Sequence, residues 1–395
     1  MADIASIIPN GWQMTTLGEV ADVNNLTIDR NYTFDEIEYI DVASVEERKL
    51  IGTQKLKLED APSRAKRIVS DNSILISTVR PNLKHYCFIR KARPNLVAST
   101  GFAVVNAKEG KSDPYFLYNL LTTKGYTDYL IKIADSQTST YPAFNPSVIQ
   151  NSVFLLPSFP EQRAIAAILS SLDNKIELLR EQNKTLEATS QAIFKEWFVN
   201  FNFSGATGKM IDSELGQIPE GWRVGTVNDV IERYSITYRC DQKDLSPKGK
   251  TPILDQGSNG LYGYTEREPD FEASIENPVI IFTNHTCNMW FINYPFSAIQ
   301  NIIPFRGNAD YSSFFVFYLT LGQVKFIEYK GHWPNFEQKQ YIIPTPIIAN
   351  EFTKIVRPLQ YKIWNNGSQI KTLSIIRDAL LPKLMRGEVG VKNFT

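Results

Sequence analysis

The sequence predicts an α+β chain organised as a pseudo-two-fold internal repeat, with two globular segments separated by an antiparallel pair of long coiled-coil helices. Three observations carry this expectation. Pro9-Asn10-Gly11-Trp12 with Leu17-Gly18-Glu19-Val20 recurs 210 residues later as Pro219-Glu220-Gly221-Trp222 with Val227-Asn228-Asp229-Val230. Lys175-Ile176 and Lys184-Thr185-Leu186 recur 187 residues later as Lys362-Ile363 and Lys371-Thr372-Leu373. Both helical stretches carry a seam of apolar or small residues alternately four and three apart, the period at which one helix packs along another. The predicted order is globule 1–158, helix 159–203, globule 204–346 and helix 347–390. The fall in offset from 210 to 187 makes the second globule 23 residues shorter, so the globules diverge while the frame persists.

The first globule opens on the Pro-x-Gly-Trp stretch, and its Trp12, like Trp222 in the second, is expected to pack in a core. A chain of 395 residues is long enough for two to four domains. Its 43% hydrophobic and 21% charged residues are those of a folded protein rather than a disordered one. The sequence holds no run of about eighteen apolar residues, so no membrane span is expected. Met1 to Asn10 carries Asp3 and no basic cluster, so it does not resemble a secretory signal. Cys87, Cys240 and Cys287 are odd in number and form no Cys-x-x-Cys pair, which fits a reducing cytoplasm and argues against disulfides or zinc. His85, His285 and His332 are equally scattered, so neither a metal nor a cofactor is expected.

The first helix should begin near Glu161, because Pro157 and Pro160 suit a helix start better than an interior. Its seam is Ile165, Leu169, Leu172, Ile176, Leu179, Asn183, Leu186, Ser190, Ile193 and Trp197. The corresponding seam of the second helix is Phe352, Val356, Leu359, Ile363, Asn366, Ile370, Leu373, Arg377, Leu380 and Leu384, with Arg377 the exception to its apolar-or-Asn character. Each is about 50 Å long at 1.5 Å per residue, and a stripe of that length needs a partner. If the helices run antiparallel with Ile165 against Leu384, Asn183 falls in one layer with Asn366, and each amide can satisfy the other. A parallel pairing at offset 187 sets Asn183 against Ile370 and Asn366 against Leu179, leaving both poorly paired. Asn183 and Asn366 are therefore the expected register residues. Gly367 and Ser368 weaken the second helix locally, by about 1 kcal/mol for the glycine, and suggest a kink.

In the first globule, Pro62-Ser63-Arg64-Ala65-Lys66-Arg67 leads to Asp71-Asn72-Ser73-Ile74-Leu75-Ile76-Ser77-Thr78-Val79-Arg80-Pro81-Asn82. With the Asn145-Pro146 to Pro160-Glu161-Gln162 helix entry and the alternating frame, this resembles the specificity subunit of type I restriction–modification enzymes over nearly the whole chain. Asn72 stands where that family often has Gly. The second globule departs further. Its Gln256-Gly257-Ser258-Asn259-Gly260-Leu261-Tyr262-Gly263-Tyr264 resembles a glycine-rich turn of the family's recognition domains, its helix entry at Pro344-Thr345-Pro346 is weaker, and the Ser-Arg-Ala-Lys and Val-Arg-Pro-Asn stretches are absent. The resemblance implies a non-catalytic chain with two target recognition domains, each reading half of a bipartite site in double-stranded DNA. It implies helices that set the spacer, two methyltransferase subunits docked beside them, and restriction/translocase subunits joined through the complex. A balance of 42 basic and 42 acidic residues is awkward for a lone DNA binder, because phosphate neutralisation supplies most non-specific affinity. A complex that encloses the duplex removes the difficulty.

Base edges are read by Arg or Lys at guanine, Asn or Gln at adenine and apolar or Thr groups at thymine. The first globule offers Ser63, Arg64, Lys66, Arg67, Arg80, Asn82, Lys84 and His85. The second offers Asn259, Tyr262, Tyr264, Asn284, His285 and Lys330, with Asn288 and His332 nearby. Any one of these could equally be a turn amide or a phosphate contact, since most hydrogen bonds to DNA go to its backbone. Enzyme motifs are incomplete. Gly249-Lys250-Thr251 ends like a phosphate loop, but Asp244 stands where its first glycine belongs and Pro247 and Pro252 crowd the helix start. Asn145-Pro146-Ser147 and Asn277-Pro278-Val279 lack the Asn-Pro-Pro-aromatic tetrad of adenine methyltransferases, and Pro269-Asp270 with Glu328-x-Lys330 is too fragmentary for a nuclease. A coiled-coil scaffold whose globules bind protein remains the alternative reading, and a fused single-chain restriction enzyme a third.

Overall fold

The computed structural model describes residues 9, 11–137, 141–235, 240–257, 260–328 and 330–391. The chain forms two units, one of residues up to Glu177 together with those from Lys371 onward, the other Leu178–Ile370. Each unit therefore holds one globule and half of each long helix. Among the described residues no helix is long and apolar enough to cross a membrane.

In the first unit a four-stranded antiparallel sheet runs in the order Ala21–Val23, Phe102–Ala107, Ser73–Ser77, Tyr86–Ile89. The central strand Ser73–Ser77 is buried along its whole length, and its period-2 alternation divides two cores. Ile74 and Ile76 face a core shared with the helix Pro114–Leu121 and with Ile165, Leu169 and Leu384 of the long helices. Leu75 faces the opposite way, into a core with Ile40, Ala98 and Phe102. That second core lies against another four-stranded sheet, ordered Gln54–Lys57, Glu36–Ile40, Leu96–Ser99, Ala65–Ile68, whose middle pair is parallel. Gln13–Thr16 pairs with Val153–Leu156, the strand that leads into the first long helix. Trp12 is buried, as expected.

The second unit repeats this plan. Ile231–Arg233, Ile302–Gly307, Val279–Thr283 and Met289–Ile292 form a sheet of the same order and the same antiparallel pairing. Ile280 and Phe282 face one core, Val279 and Ile281 the other. Thr251–Leu254 pairs antiparallel with Leu261–Thr265 and parallel with Ser297–Ala298, as Glu36–Ile40 does with Gln54–Lys57 and Leu96–Ser99. At the next edge, where the first unit has the strand Ala65–Ile68, the second has a single antiparallel bridge between Phe271 and Phe296. The edge strand that holds the Ala65-Lys66 end of the Ser-Arg-Ala-Lys stretch in the first globule is thus reduced to one bridge in the second. Arg223–Thr226 pairs with Gln340–Ile343, again the strand before a long helix, and Trp222 is buried.

The first long helix spans Phe159–Phe198 and the second Pro346–Met385. The first begins two residues before Glu161, since proline is tolerated in a first turn whose N–H groups lack intrahelical partners anyway. The second is helical through Gly367 and Ser368: one glycine costs about 1 kcal/mol, less than the packing on either side returns. None of the seam positions of either helix is exposed. In the first unit Ile165 and Leu169 share a core with Leu384, and in the second unit Phe194 and Phe198 pack edge-on against Phe352. The pairing is antiparallel in both. Asn366 Nδ2 donates to Asn183 Oδ1 at 2.9 Å and Asn183 Nδ2 donates to the Ile363 carbonyl at 3.2 Å, so the two amides share a layer. Arg377, the seam's exception, donates to Asp173 at 2.9 Å, and Asp173 also accepts from Tyr115 of the globule.

Asn366 is fully buried while Asn183 is partly exposed, which makes the layer asymmetric. Asn183→Leu strands a buried amide and should cost about 1–3 kcal/mol. Asn366→Leu leaves an amide that water reaches and should cost less. The double variant should recover to wild type or above. Denaturant unfolding of the full cycle checks this, and simply additive losses contradict it. A second expectation concerns Cys87, whose thiol burial pushes up to about 12. An unfolded thiol loses its proton near about 8.5, so the group favours the fold below that pH. The contribution should decline as pH rises from there toward about 12. Chemical denaturation across that range checks the sign, and in the native protein Cys87 should resist alkylation that it undergoes once unfolded.

Candidate nucleic-acid interface

The strand Ser73–Ser77 is entered through Asn72, which sits in the left-handed region at φ 63. Glycine adopts that conformation freely and asparagine is among the side chains that tolerate it best. The strand leaves through the turn that carries Arg80, Asn82, Lys84 and His85. Ser77 Oγ donates to the Val79 carbonyl at 2.8 Å, and a 3-10 turn at Pro81–Leu83 is bracketed by Arg80 at φ 47 and Lys84 at φ 54. Backbone bonds tie this turn to two other loops. Thr78 N–H donates to the Gly101 carbonyl at 2.8 Å, and Thr100 N–H donates to the Arg64 carbonyl at 2.8 Å. On the other side, Arg80 N–H donates to the Pro142 carbonyl at 2.7 Å and Phe144 N–H to the Thr78 carbonyl at 3.0 Å. The structure thereby brings the loops of Arg64, of Arg80 with Asn82, and of Tyr141 to one end of the sheet.

The candidate side chains differ in how far they are already committed. Ser63, Arg64, Lys66, Arg80, Asn82 and Lys84 are exposed. Arg64 lies 3.4 Å from Asp41, and Lys84 lies 3.2 Å from Glu47. His85 contacts the Val45 carbonyl through Nδ1, so Lys84 and His85 are both held by the hairpin Val45–Leu50. The Arg80 guanidinium instead sits 5.0 Å from the ring centroid of Tyr141. Lys66 and Arg67 lie on the edge strand where its pairing with Leu96–Ser99 shifts register, a bulge that re-aims side chains. Arg67 is partly buried, its Nε has no partner among the described residues, and burial lowers its pKa.

In the second unit the turn Asn284–Asn288 occupies the position of the Arg80 turn. Asn284 N–H donates to the Asn301 carbonyl at 2.9 Å, as Thr78 does to Gly101, and the Asn284 carbonyl accepts from His332 N–H at 2.8 Å, as Thr78 accepts from Phe144. The Asn284 side chain is engaged, its Oδ1 accepting from Trp333 N–H at 2.8 Å. His285 N–H donates to Gln256 Oε1 at 2.9 Å and its Nδ1 lies 2.9 Å from the Lys330 carbonyl. Lys330 pairs with Glu328 at 2.8 Å. Tyr262 is exposed and Tyr264 partly so, on the strand after the glycine-rich turn; Asn259 lies outside the described residues. Asn288 is exposed and bonds within its own turn, Nδ2 to Thr286 Oγ1 at 3.3 Å, whereas His332 is fully buried. Sequence reasoning missed Tyr141 and Gln256. Gln256 stands at the head of the glycine-rich turn, whereas nothing around Tyr141 marked it.

Residues 9–188 and again 219–369 match the family described as the type I restriction modification DNA specificity domain. The chain belongs to that family. It is 28% identical over 418 residues to the type I restriction enzyme MjaIX specificity subunit of Methanocaldococcus jannaschii, across 98% of this chain and 95% of that relative. It is 31% identical over 191 residues to the HindI specificity subunit of Haemophilus influenzae, a match limited to 48% of this chain and 41% of the relative. The fold is shared with the crystal structure of a type I restriction-modification system S subunit from M. genitalium, at 16% identity and a TM-score of 0.59 over 97% of each chain. As a DNA specificity chain it carries one loop cluster per domain, built on the same backbone bonds and lined with different side chains.

The φ 63 at Asn72 gives a direct check on the approach to the first cluster. Asn72→Gly should be neutral or slightly stabilising, while Asn72→Val should cost about 1–2 kcal/mol, because a β-branched residue is strained in the left-handed region. Thermal unfolding of the two variants distinguishes the cases.

Proposed function

We propose that this chain is the DNA-reading subunit of a type I restriction–modification assembly, in which each recognition domain reads one half of a bipartite site. The observation that carries the reading is the duplicated scaffold, whose equivalent turns present Arg80-Pro81-Asn82 in one half and His285-Thr286 in the other. Two different readers held in one frame suit a split site. Domain 1–158 would read through Ser63, Arg64, Lys66, Arg67, Arg80, Asn82, Lys84 and His85. Domain 204–346 would read through Asn259, Tyr262, Tyr264, Asn284, His285 and Lys330. Of these, the exposed residues without an acidic partner suit base edges, and the ion-paired lysines suit phosphates, where a counter-charge is readily exchanged.

The spacer helices, 159–203 and 347–390, would set the gap between half-sites and offer docking surfaces for two methyltransferase subunits, with restriction/translocase subunits joining through them. The chain itself would act in the cytoplasm without catalysis or cofactor. Partner subunits also answer the neutral charge balance of 42 basic and 42 acidic residues, since an enclosing complex would add phosphate contacts to those of this chain. The relatives named as specificity subunits support this assignment.

Sequence-dependent retardation of duplex pools by the chain with its methyltransferase subunits tests the core of the reading; no preference for any sequence would sink it. The ruler is tested separately. Because the helices are antiparallel, seven residues must be inserted in both, near Asn183 and Asn366. Each heptad adds about 10 Å at 1.5 Å per residue, or about three base pairs at 3.4 Å each. Methylome sequencing should then show both half-sites unchanged and a longer gap. An unchanged gap would refute the ruler.

A further inference from the structure

We infer that Arg80 and Tyr141 together form a guanine reader, with Tyr141 the positioning residue that holds the Arg80 guanidinium for one base pair of the first half-site. The inference rests on the DNA-recognition reading above and adds a base identity and a residue that the sequence did not single out. Tyr141 is 65% exposed, a large aromatic ring that no core requires at that place. The Arg80 guanidinium lies 5.0 Å from its centroid, within the range at which a cation is attracted to an aromatic face. Among the described residues no carboxylate pairs with Arg80, whereas Arg64, Lys84 and Lys330 each have an acidic neighbour. A guanidinium held over a ring keeps the N–H donors at its edge available, and that planar fork matches the O6 and N7 acceptors of guanine in the major groove.

The backbone points the same way. Arg80 occupies the left-handed region at φ 47, a conformation that a non-glycine residue keeps only where its surroundings impose it. Here the imposing element is the Tyr141 loop itself. Arg80 N–H donates to the Pro142 carbonyl at 2.7 Å, Val79 bridges to Ala143, and Phe144 N–H donates to the Thr78 carbonyl at 3.0 Å. The same short segment that supplies the ring therefore fixes the arginine's main chain. A tyrosine has only two side-chain torsions to order, so the stack orients the longer, more flexible arginine at small entropic cost.

The test uses the complex with methyltransferase subunits, a randomised duplex pool and sequencing of the bound fraction. Arg80→Ala should relax one guanine position by about five- to one-hundred-fold, leaving the second half-site and the gap unchanged. Arg80→Lys should relax it similarly, since an ammonium lacks the fork. Tyr141→Ala should relax the same position several-fold, Tyr141→Phe should retain it because the ring face remains, and the double Ala variant should match Arg80→Ala. Both side chains are exposed, and the unaltered second half-site reports that each variant is folded. Uniform weakening across all sequences with a shallower salt dependence would make Arg80 a phosphate contact and overturn the inference. Relaxation at a different base pair by Tyr141→Ala, or further loss in the double variant, would make Tyr141 a DNA contact in its own right and overturn its positioning role. An intact preference in every variant overturns the inference alone, whereas a wild-type complex with no preference overturns the recognition reading beneath it.

Discussion

A buried amide must find a partner, and that requirement fixes the register of the two long helices. Asn366 is fully buried, and Asn183 Oδ1 meets its Nδ2 at 2.9 Å. Slipping the helices by one layer would set Asn366 against Leu179 or Leu186 and Asn183 against Ile363 or Ile370. Each amide would then face hydrocarbon, at about 1–3 kcal/mol apiece. Arg377 supplies a second lock, because slippage would part its partly buried guanidinium from Asp173 and leave it only Asp378 of its own helix. The locks lie about 15 Å apart along the first helix, at 1.5 Å per residue. Any other register breaks both. The apolar seam supplies the attraction between the helices but is tolerant of slippage, so the polar exceptions carry the specificity.

That register is transmitted to the domains through very short connections. Pro157-Ser158 alone separates the strand Val153–Leu156 from the first helix, and Pro344-Thr345 alone separates Gln340–Ile343 from the second. Proline stiffens both joints. The helix starts are also part of the domain cores, Ile165 and Leu169 in the first and Phe352 and Val356 in the second. In the first unit Tyr115 of the domain bonds to Asp173, the residue that pairs with Arg377, so one partly buried network serves both the helix register and the seating of the domain.

What the sequence makes legible follows from which forces leave a local trace. The seam, the shared Asn layer and the antiparallel direction follow from period and from satisfaction of polar groups, and the structure has all three. Arg377 is visible as an exception, but its partner is not, because Asp173 lies beside the seam rather than in it. The duplicated sheets are invisible, since Thr78 to Gly101 and Asn284 to Asn301 are backbone bonds that any residue can make. For the same reason Lys84 reads as a free cation until Glu47, distant in sequence, is found beside it, and Asn284 reads as an available amide until Trp333 N–H is found on its Oδ1. Tyr141 left no trace, because its role depends on a contact with Arg80 across a loop closure.

The same reliance on backbone bonds explains how one frame can carry two readers. The turn after Ser73–Ser77 spans Thr78 to His85 before its partner strand resumes, whereas the turn after Val279–Thr283 spans only Asn284 to Asn288. Both are held at their base by an N–H to the strand-connecting loop and a carbonyl to the segment before the long helix. These anchors use no side chain, so substitutions and length changes at the turn tips leave them intact. Buried side chains lie mainly in the sheets and along the seam, where substitutions cost most, and many of the exposed ones lie at the turn tips. A turn held this way can change the side chains at its tip and keep its backbone anchors.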